Sequence, residues 1–157
     1  MTSEGQDFGQ GSVTLNRLID VPVTLMWKVW TEPKHLIAWW GPTVFTNSGC
    51  EVDLRVGGLW RIVMNGPGGS AFPMEATYTE IVPGARLAYA MAAVSPEGVL
   101  QLKGVTTVTM RDEGGKTRLI VQADAKGFIP EAVQMLAGME MGWSQSLDKL
   151  AAFAATL

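Results

Sequence analysis

The sequence has one cysteine, Cys50, and one histidine, His35. A lone cysteine cannot close an intramolecular disulfide, and a secreted chain more often carries cysteines in pairs. One His and one Cys cannot supply the ligands of a protein zinc site. No carboxylate run has the spacing of a calcium-binding loop. The 12 Lys and Arg are scattered, and the net charge of −3 gives no general attraction to nucleic-acid phosphates. No apolar segment approaches the roughly 20 residues that span a bilayer. The start, MTSEGQDFGQG, lacks the basic-then-apolar pattern of a secretory signal. No metal, cofactor, nucleic acid or membrane insertion is therefore expected, and the cytoplasm is the expected location.

What is present describes a globular protein. Apolar residues make up 47% of the chain and charged residues 17%, in 157 residues, the size of one domain. Residues 1–10 read as a loose tail and residues 11–157 as a single domain.

Punctuation by Gly and Pro divides the chain clearly. GSVTLNRLID (11–20) reads as a strand. Pro22 suits a helix start, and VTLMWKVWT (23–31) is apolar on nearly every face, as in a buried helix. PKHLIAWW (33–40) makes a second short helix, stopped by Gly41-Pro42. CEVDL, LWRIVMN, FPMEATYTEIV, RLAYAMAAV, VLQLKGVTTVTMRD and TRLIVQADA follow as six strands joined mostly by short turns. Residues 130–155 read as one long helix, with Met135, Met139, Trp143, Leu147, Leu150 and Ala154 in one stripe. Such a succession predicts an α+β fold, a curved antiparallel sheet with one face covered by the C-terminal helix.

Period-two alternation assigns the faces. Trp60, Ile62 and Met64 share one face; Arg61 and Asn65 share the other. Met74, Ala76 and Tyr78 point in, while Glu75, Thr77 and Thr79 point out. Leu100, Leu102, Gly104, Thr106 and Val108 point in, away from Gln101 and Lys103. The inner face thus sets bulky side chains beside small ones, opposite a Met-rich helix. Gly138 and Gly142 remove bulk from that helix at about 1 kcal/mol each relative to Ala. Two readings stay open: a solid core of mixed sizes, or a pocket that methionines line softly.

The stretch WTEPKHLIAWWGP (30–42) holds three of six tryptophans and the one histidine. It could be mistaken for a catalytic site. His35 has no acid placed to orient it, and Ser48 and Cys50 are the obvious candidate nucleophiles. Glu51, Asp53 and Glu75 point outward, so no inward acid–base pair exists. A structural histidine is the reading, with no catalytic residue assigned. On a helix, Trp39 and Trp40 point about 100° apart. One indole is expected to anchor the short helix into the core and the other to face the cavity mouth or the following loop.

Four ordered stretches, WTEPKHLIAWWGP, DLRVGGLWR (53–61), EIVPGARLAY (80–89) and GWSQSLDKLAA (142–152), resemble bacterial proteins similar to the C-terminal domain of the activator of Hsp90 ATPase. That family lies in the START or Bet v 1-like superfamily, and the resemblance covers about residues 12–155. It implies the helix-grip fold: seven antiparallel strands around a long C-terminal helix, with two short helices between the first two strands. Val56 stands where the family's turn usually has Pro, which touches turn rigidity. The resemblance also implies a small apolar ligand between sheet and helix. The side chains expected to line that cavity are Trp40, Trp60, Ile62, Met64, Met74, Tyr78, Leu102, Met135, Met139 and Trp143. The family name implies an Hsp90-type chaperone as an alternative partner, met through an outer face with Arg61, Glu75 and Lys103. The eukaryotic activators carry a further N-terminal domain, which weakens that implication for this sequence. Superfamily cyclases and aromatases suggest a third reading, in which Tyr78 would be the polar group in the cavity. Oligomeric state is open, a homodimer included.

Overall fold

The structure, a computed structural model, describes residues 7–95 and 97–157. Its elements are β1 (Gln10–Ile19), α1 (Val23–Thr31), α2 (Pro33–Trp39), β2 (Thr46–Val52), β3 (Leu59–Asn65), β4 (Ala71–Val82), β5 (Arg86–Val94), β6 (Leu100–Glu113), β7 (Lys116–Gly127), α3 (Ala132–Ala137) and α4 (Met139–Ala154). Seven strands form one antiparallel sheet in the order β1-β7-β6-β5-β4-β3-β2. This is the helix-grip architecture. Of the expected tail, residues 1–6 lie outside the described residues. Phe8 already donates its amide to the Gly127 carbonyl at 3.0 Å, and Gln10 belongs to β1.

Local chemistry sets the two-helix corner. Pro22 sits ahead of α1, and its carbonyl accepts from the amides of Leu25 and Met26. Glu32 leaves the helical region (φ −93°, ψ 130°) because the following Pro33 disfavours it there. Pro33 then opens α2 at the one position where its missing N–H costs nothing. After Trp40, Gly41 turns at φ +90°, and a Cβ there would meet Met64 Sδ at 2.8 Å. Lys149 closes the corner from α4: its Nζ donates to the carbonyls of Gly41, Pro42 and Phe45 at 3.1–3.3 Å. Asn47 Nδ2 donates to the carbonyls of Ile37 and Trp40, at 3.2 and 2.7 Å.

The expected single helix over 130–155 is two helices. Gly138 adopts φ −89°, ψ 3°, outside the helical basin, and separates α3 from α4. The reason lies at the sheet. α3 packs on β7 and β1, where Gly127 lets Ala132 approach so closely that no Cβ would fit. α4 packs on β1, α1 and α2 and is pinned to β1 by Arg17, which reaches Asp148 and Ser144 at 2.8 Å each.

Candidate functional site

Strand register lays the inner face out in rows. Trp60, Ala76, Met91, Gly104 and Ala125 stand side by side across β3 to β7. On one side of them runs the row Tyr78, Tyr89, Thr106 and Ala123. On the other runs Ile62, Met74, Ala93 and Leu102. Small residues alternate with bulky ones along these rows, and at Gly104 the backbone of β7 comes too close for a Cβ to fit.

Burial changes along this wall. Beyond the tyrosine row, Val108, Leu119, Val121, Leu147 and Leu150 are fully buried. Toward α3, Met64, Met91, Leu102, Met135, Met139 and Trp143 are only half-buried. Side chains are thus more exposed at the α3 end than beyond the tyrosine row, although Ile62, Met74 and Phe128 are buried there too. Depressions of about 630 and 650 Å³ also open on the outer face, where they share Ala90 and Lys103.

Indoles fill much of the space between sheet and α4. Trp39 is fully buried, and its Nε1 donates to the Val29 carbonyl at 3.0 Å, which anchors α2. Trp40 turns the other way. It meets Trp60 edge-on at 4.9 Å and Trp143 edge-on at 5.7 Å between ring centres. Trp30 packs on Trp39 at 4.8 Å, and Trp60 on Tyr89 at 5.4 Å. Edge-to-face pairs of this kind add about 0.5–1.5 kcal/mol beyond burial.

The chemistry lies at the polar tips. Tyr78 Oη, Tyr89 Oη and Trp60 Nε1 are buried with no hydrogen-bond partner among the described residues. Each such group costs about 1–3 kcal/mol when left unpaired. Thr106 is the cross-strand neighbour of Tyr89 and would favour its phenolate, yet no hydrogen bond of ordinary geometry joins the two. Burial pushes both phenols well above the ordinary tyrosine range. The Cys50 thiol adds to the rise at Tyr78, and Tyr78 adds to that at Tyr89. Cys50, half-buried at the β2 edge of this cluster, is itself pushed up to about 11 by burial and by the neighbouring charge of Glu51.

The structure thus brings Trp40, Trp60, Ile62, Met64, Met74, Tyr78, Met139 and Trp143 into or against one buried cluster. Leu102 and Met135 sit apart from it, toward the α3 end. Thr106 belongs to the same wall, as its alternation predicts, and so do Tyr89 and Met91, which were not among the expected residues. The alternation in RLAYAMAAV carries the signal for these two: Leu87, Tyr89 and Met91 alternate with three alanines. His35 faces elsewhere, its ring 5.5 Å from Phe153 and its Nε2 3.6 Å from Glu32 Oε1. Among the described residues, no three or more of His, Cys, Asp and Glu converge as a metal site would need. No helix among them is long and apolar enough to cross a membrane.

Comparison with known proteins gives three findings. The sequence profile described as activator of Hsp90 ATPase homolog 1-like protein matches residues 20–155. No curated protein matches the sequence. Solved structures share the fold across nearly the whole chain. A Nitrosomonas europaea protein is 25% identical with a TM-score of 0.77, over 92% of this chain and 94% of its own. An Arthrobacter aurescens protein is 21% identical with a TM-score of 0.81, over 97% and 90%. The AHSA1 protein of Silicibacter pomeroyi is 22% identical with a TM-score of 0.75, over 93% and 99%.

Proposed function

The chain belongs to the activator of Hsp90 ATPase homolog 1-like family, and from that premise we propose that it binds a small, mainly apolar molecule between the sheet and its C-terminal helices. The observation that carries this reading is the burial gradient along the inner face. A structural core alone gains most by closing both ends. Here Met64, Met91 and Met139, three adaptable side chains, face inward yet stay half-open to solvent at the α3 end. The binding residues are those of the inner wall, Trp40, Trp60, Ile62, Met74 and Tyr78, with Met64, Leu102, Met135, Met139 and Trp143 toward the mouth. The protein acts in the cytoplasm as one domain, by holding its ligand and not by turning it over.

Indole emission provides the test, because all six tryptophans lie in or against the core. Titration with an uncharged fluorescent probe such as Nile red, and with uncharged polycyclic hydrocarbons, is expected to quench or shift this emission with saturation. Mass spectrometry of the native protein is expected to show a bound small molecule. A flat titration with every probe removes this reading.

A second reading rests on the outer face. Glu51, Arg61, Glu75, Ala92, Lys103 and Lys126 form one cross-strand row, with Arg61 and Glu75 paired at 2.8 Å. Exposed Leu59 and Val105 lie beside it. A charged row next to apolar side chains suits a protein partner, and the family name suggests an Hsp90-type chaperone. A pull-down with the bacterial Hsp90 homologue, read with its ATPase rate, separates this reading from the first.

A further inference from the structure

We propose that the molecule held in the interior is a neutral compound carrying a carbonyl oxygen, and that Tyr78, Tyr89 and Trp60 donate hydrogen bonds to that oxygen. This rests on the ligand-binding reading above and deepens it by naming the chemistry at the closed end of the site.

Three observations converge. First, Tyr78 Oη, Tyr89 Oη and Trp60 Nε1 lie on adjoining rows of one wall, and each side chain is 1–2% exposed. The Trp60 and Tyr89 rings touch edge-on, and the two tyrosines stand opposite each other across β4 and β5. All three groups can donate, and none has a partner among the described residues. Indole N–H is a donor only, so the group common to all three is an acceptor. Secondly, burial keeps both phenols protonated, and hence donors, throughout the physiological range.

Thirdly, the interior holds no compensating charge. The buried polar side chains are Thr31, Thr106, Thr117 and Ser146, with no buried Lys, Arg, Asp or Glu among the described residues. A carboxylate or phosphate brought to this wall would lose its water without gaining a counter-charge, which is strongly unfavourable. A hydrocarbon would leave the three donors unpaired. A neutral carbonyl oxygen avoids the charge penalty, and its two lone pairs accept from the two tyrosine hydroxyls, with Trp60 Nε1 sharing one of them.

The experiment uses the full chain with two rigid probes of nearly equal size, 9-fluorenone and fluorene, which differ by a C=O in place of CH2. Affinities come from tryptophan quenching and calorimetry. Wild type is expected to bind the ketone about tenfold more tightly, the difference that roughly one well-made hydrogen bond supplies. The Y78F/Y89F double variant is expected to lose most of that preference while its affinity for fluorene holds. Circular dichroism and the melting curve show that the variant folds. Bound fluorenone is expected to show a C=O stretch shifted to lower frequency in wild type and shifted back in the variant. Fluorene-9-carboxylate is expected to bind more weakly than either. Equal binding of ketone and hydrocarbon, or a preference that survives both substitutions, overturns the carbonyl proposal and leaves the ligand-binding reading standing. Binding of neither probe to wild type removes the ligand-binding reading, and the carbonyl proposal falls with it.

Discussion

Lys149 Nζ lies 3.1 Å from the carbonyl oxygen of Gly41, joining α4 to the loop that ends α2. Pro42 and Phe45 carbonyls accept from the same ammonium at 3.3 and 3.2 Å. One side chain therefore fixes a five-residue turn, Gly41 to Phe45, that nothing else in α4 reaches so fully. Burial lowers the lysine's pKa, so part of the gain from these bonds offsets desolvation. Lys149→Met keeps the length and the apolar stem and removes the donors. The expected cost is about 1–2 kcal/mol, below the sum for three bonds to a charged donor because the site is partly wet. A lower denaturant midpoint with an unchanged slope would show it.

Gly41→Ala tests the same turn from the other side. The residue would have to hold φ +90° and place its Cβ 2.8 Å from Met64 Sδ. Strain of this kind costs about 1–3 kcal/mol. Adding Met64→Ala relieves only the contact, so a double-mutant cycle is expected to return a coupling smaller than the total loss. Complete recovery in the double variant would mean that backbone strain is negligible there.

How much of this was legible in the sequence depended on what each segment's residues had to say. LWRIVMN and RLAYAMAAV appear as β3 and β5 with the expected ends, because turn glycines and prolines bound both. β2 starts at Thr46, four residues before the expected Cys50, because TNSG is polar and carries a bulge between Ser48 and Glu51. An edge strand with no alternation leaves no periodic signal. Gly138 and Gly142 read as a loss of bulk within one helix, yet Gly138 breaks that helix; Gly142 stays helical beside Pro42. That Tyr78 points inward could be read from parity. That its hydroxyl finds no partner could not, because the missing acceptor is a property of five strands arranged in space.

Cys50 offers a chemical readout of the wall. Only the thiolate attacks alkylating agents, and this thiol titrates near 11, above its ordinary value of 9.0. Iodoacetamide at pH 8 is expected to label Cys50 at least tenfold more slowly than it labels a free thiol, with the rate still climbing past pH 10. Rapid labelling at pH 8 would mean that β2 opens readily.

Glu113 makes an acid-sensitive tie. Arg118 and Arg111 hold it at about 2, below its ordinary value of 4.5. A carboxyl group depressed in the folded state stabilises above its unfolded value and loses that contribution as pH falls toward the folded one. The melting-temperature gap between wild type and Glu113→Gln is therefore expected to be constant above pH 5 and to close between pH 4.5 and 2. A gap that stays open at pH 2 would assign the effect to something other than this charge.

The strand order has a kinetic meaning as well. Six strands lie beside a neighbour in the chain, so β2 to β7 can zip up by successive short hairpins. β1 is the exception. It pairs with β7, Ile19 opposite Thr117, and must find its place across almost the whole sequence. Closing so long a loop is slow, though its entropic cost grows only logarithmically with length. During synthesis β1 leaves the ribosome first and waits, with α1 and α2 behind it, until β7 emerges. The first-made strand of the sheet is the last to be paired, and the refolding rate should respond most to changes in that final seam.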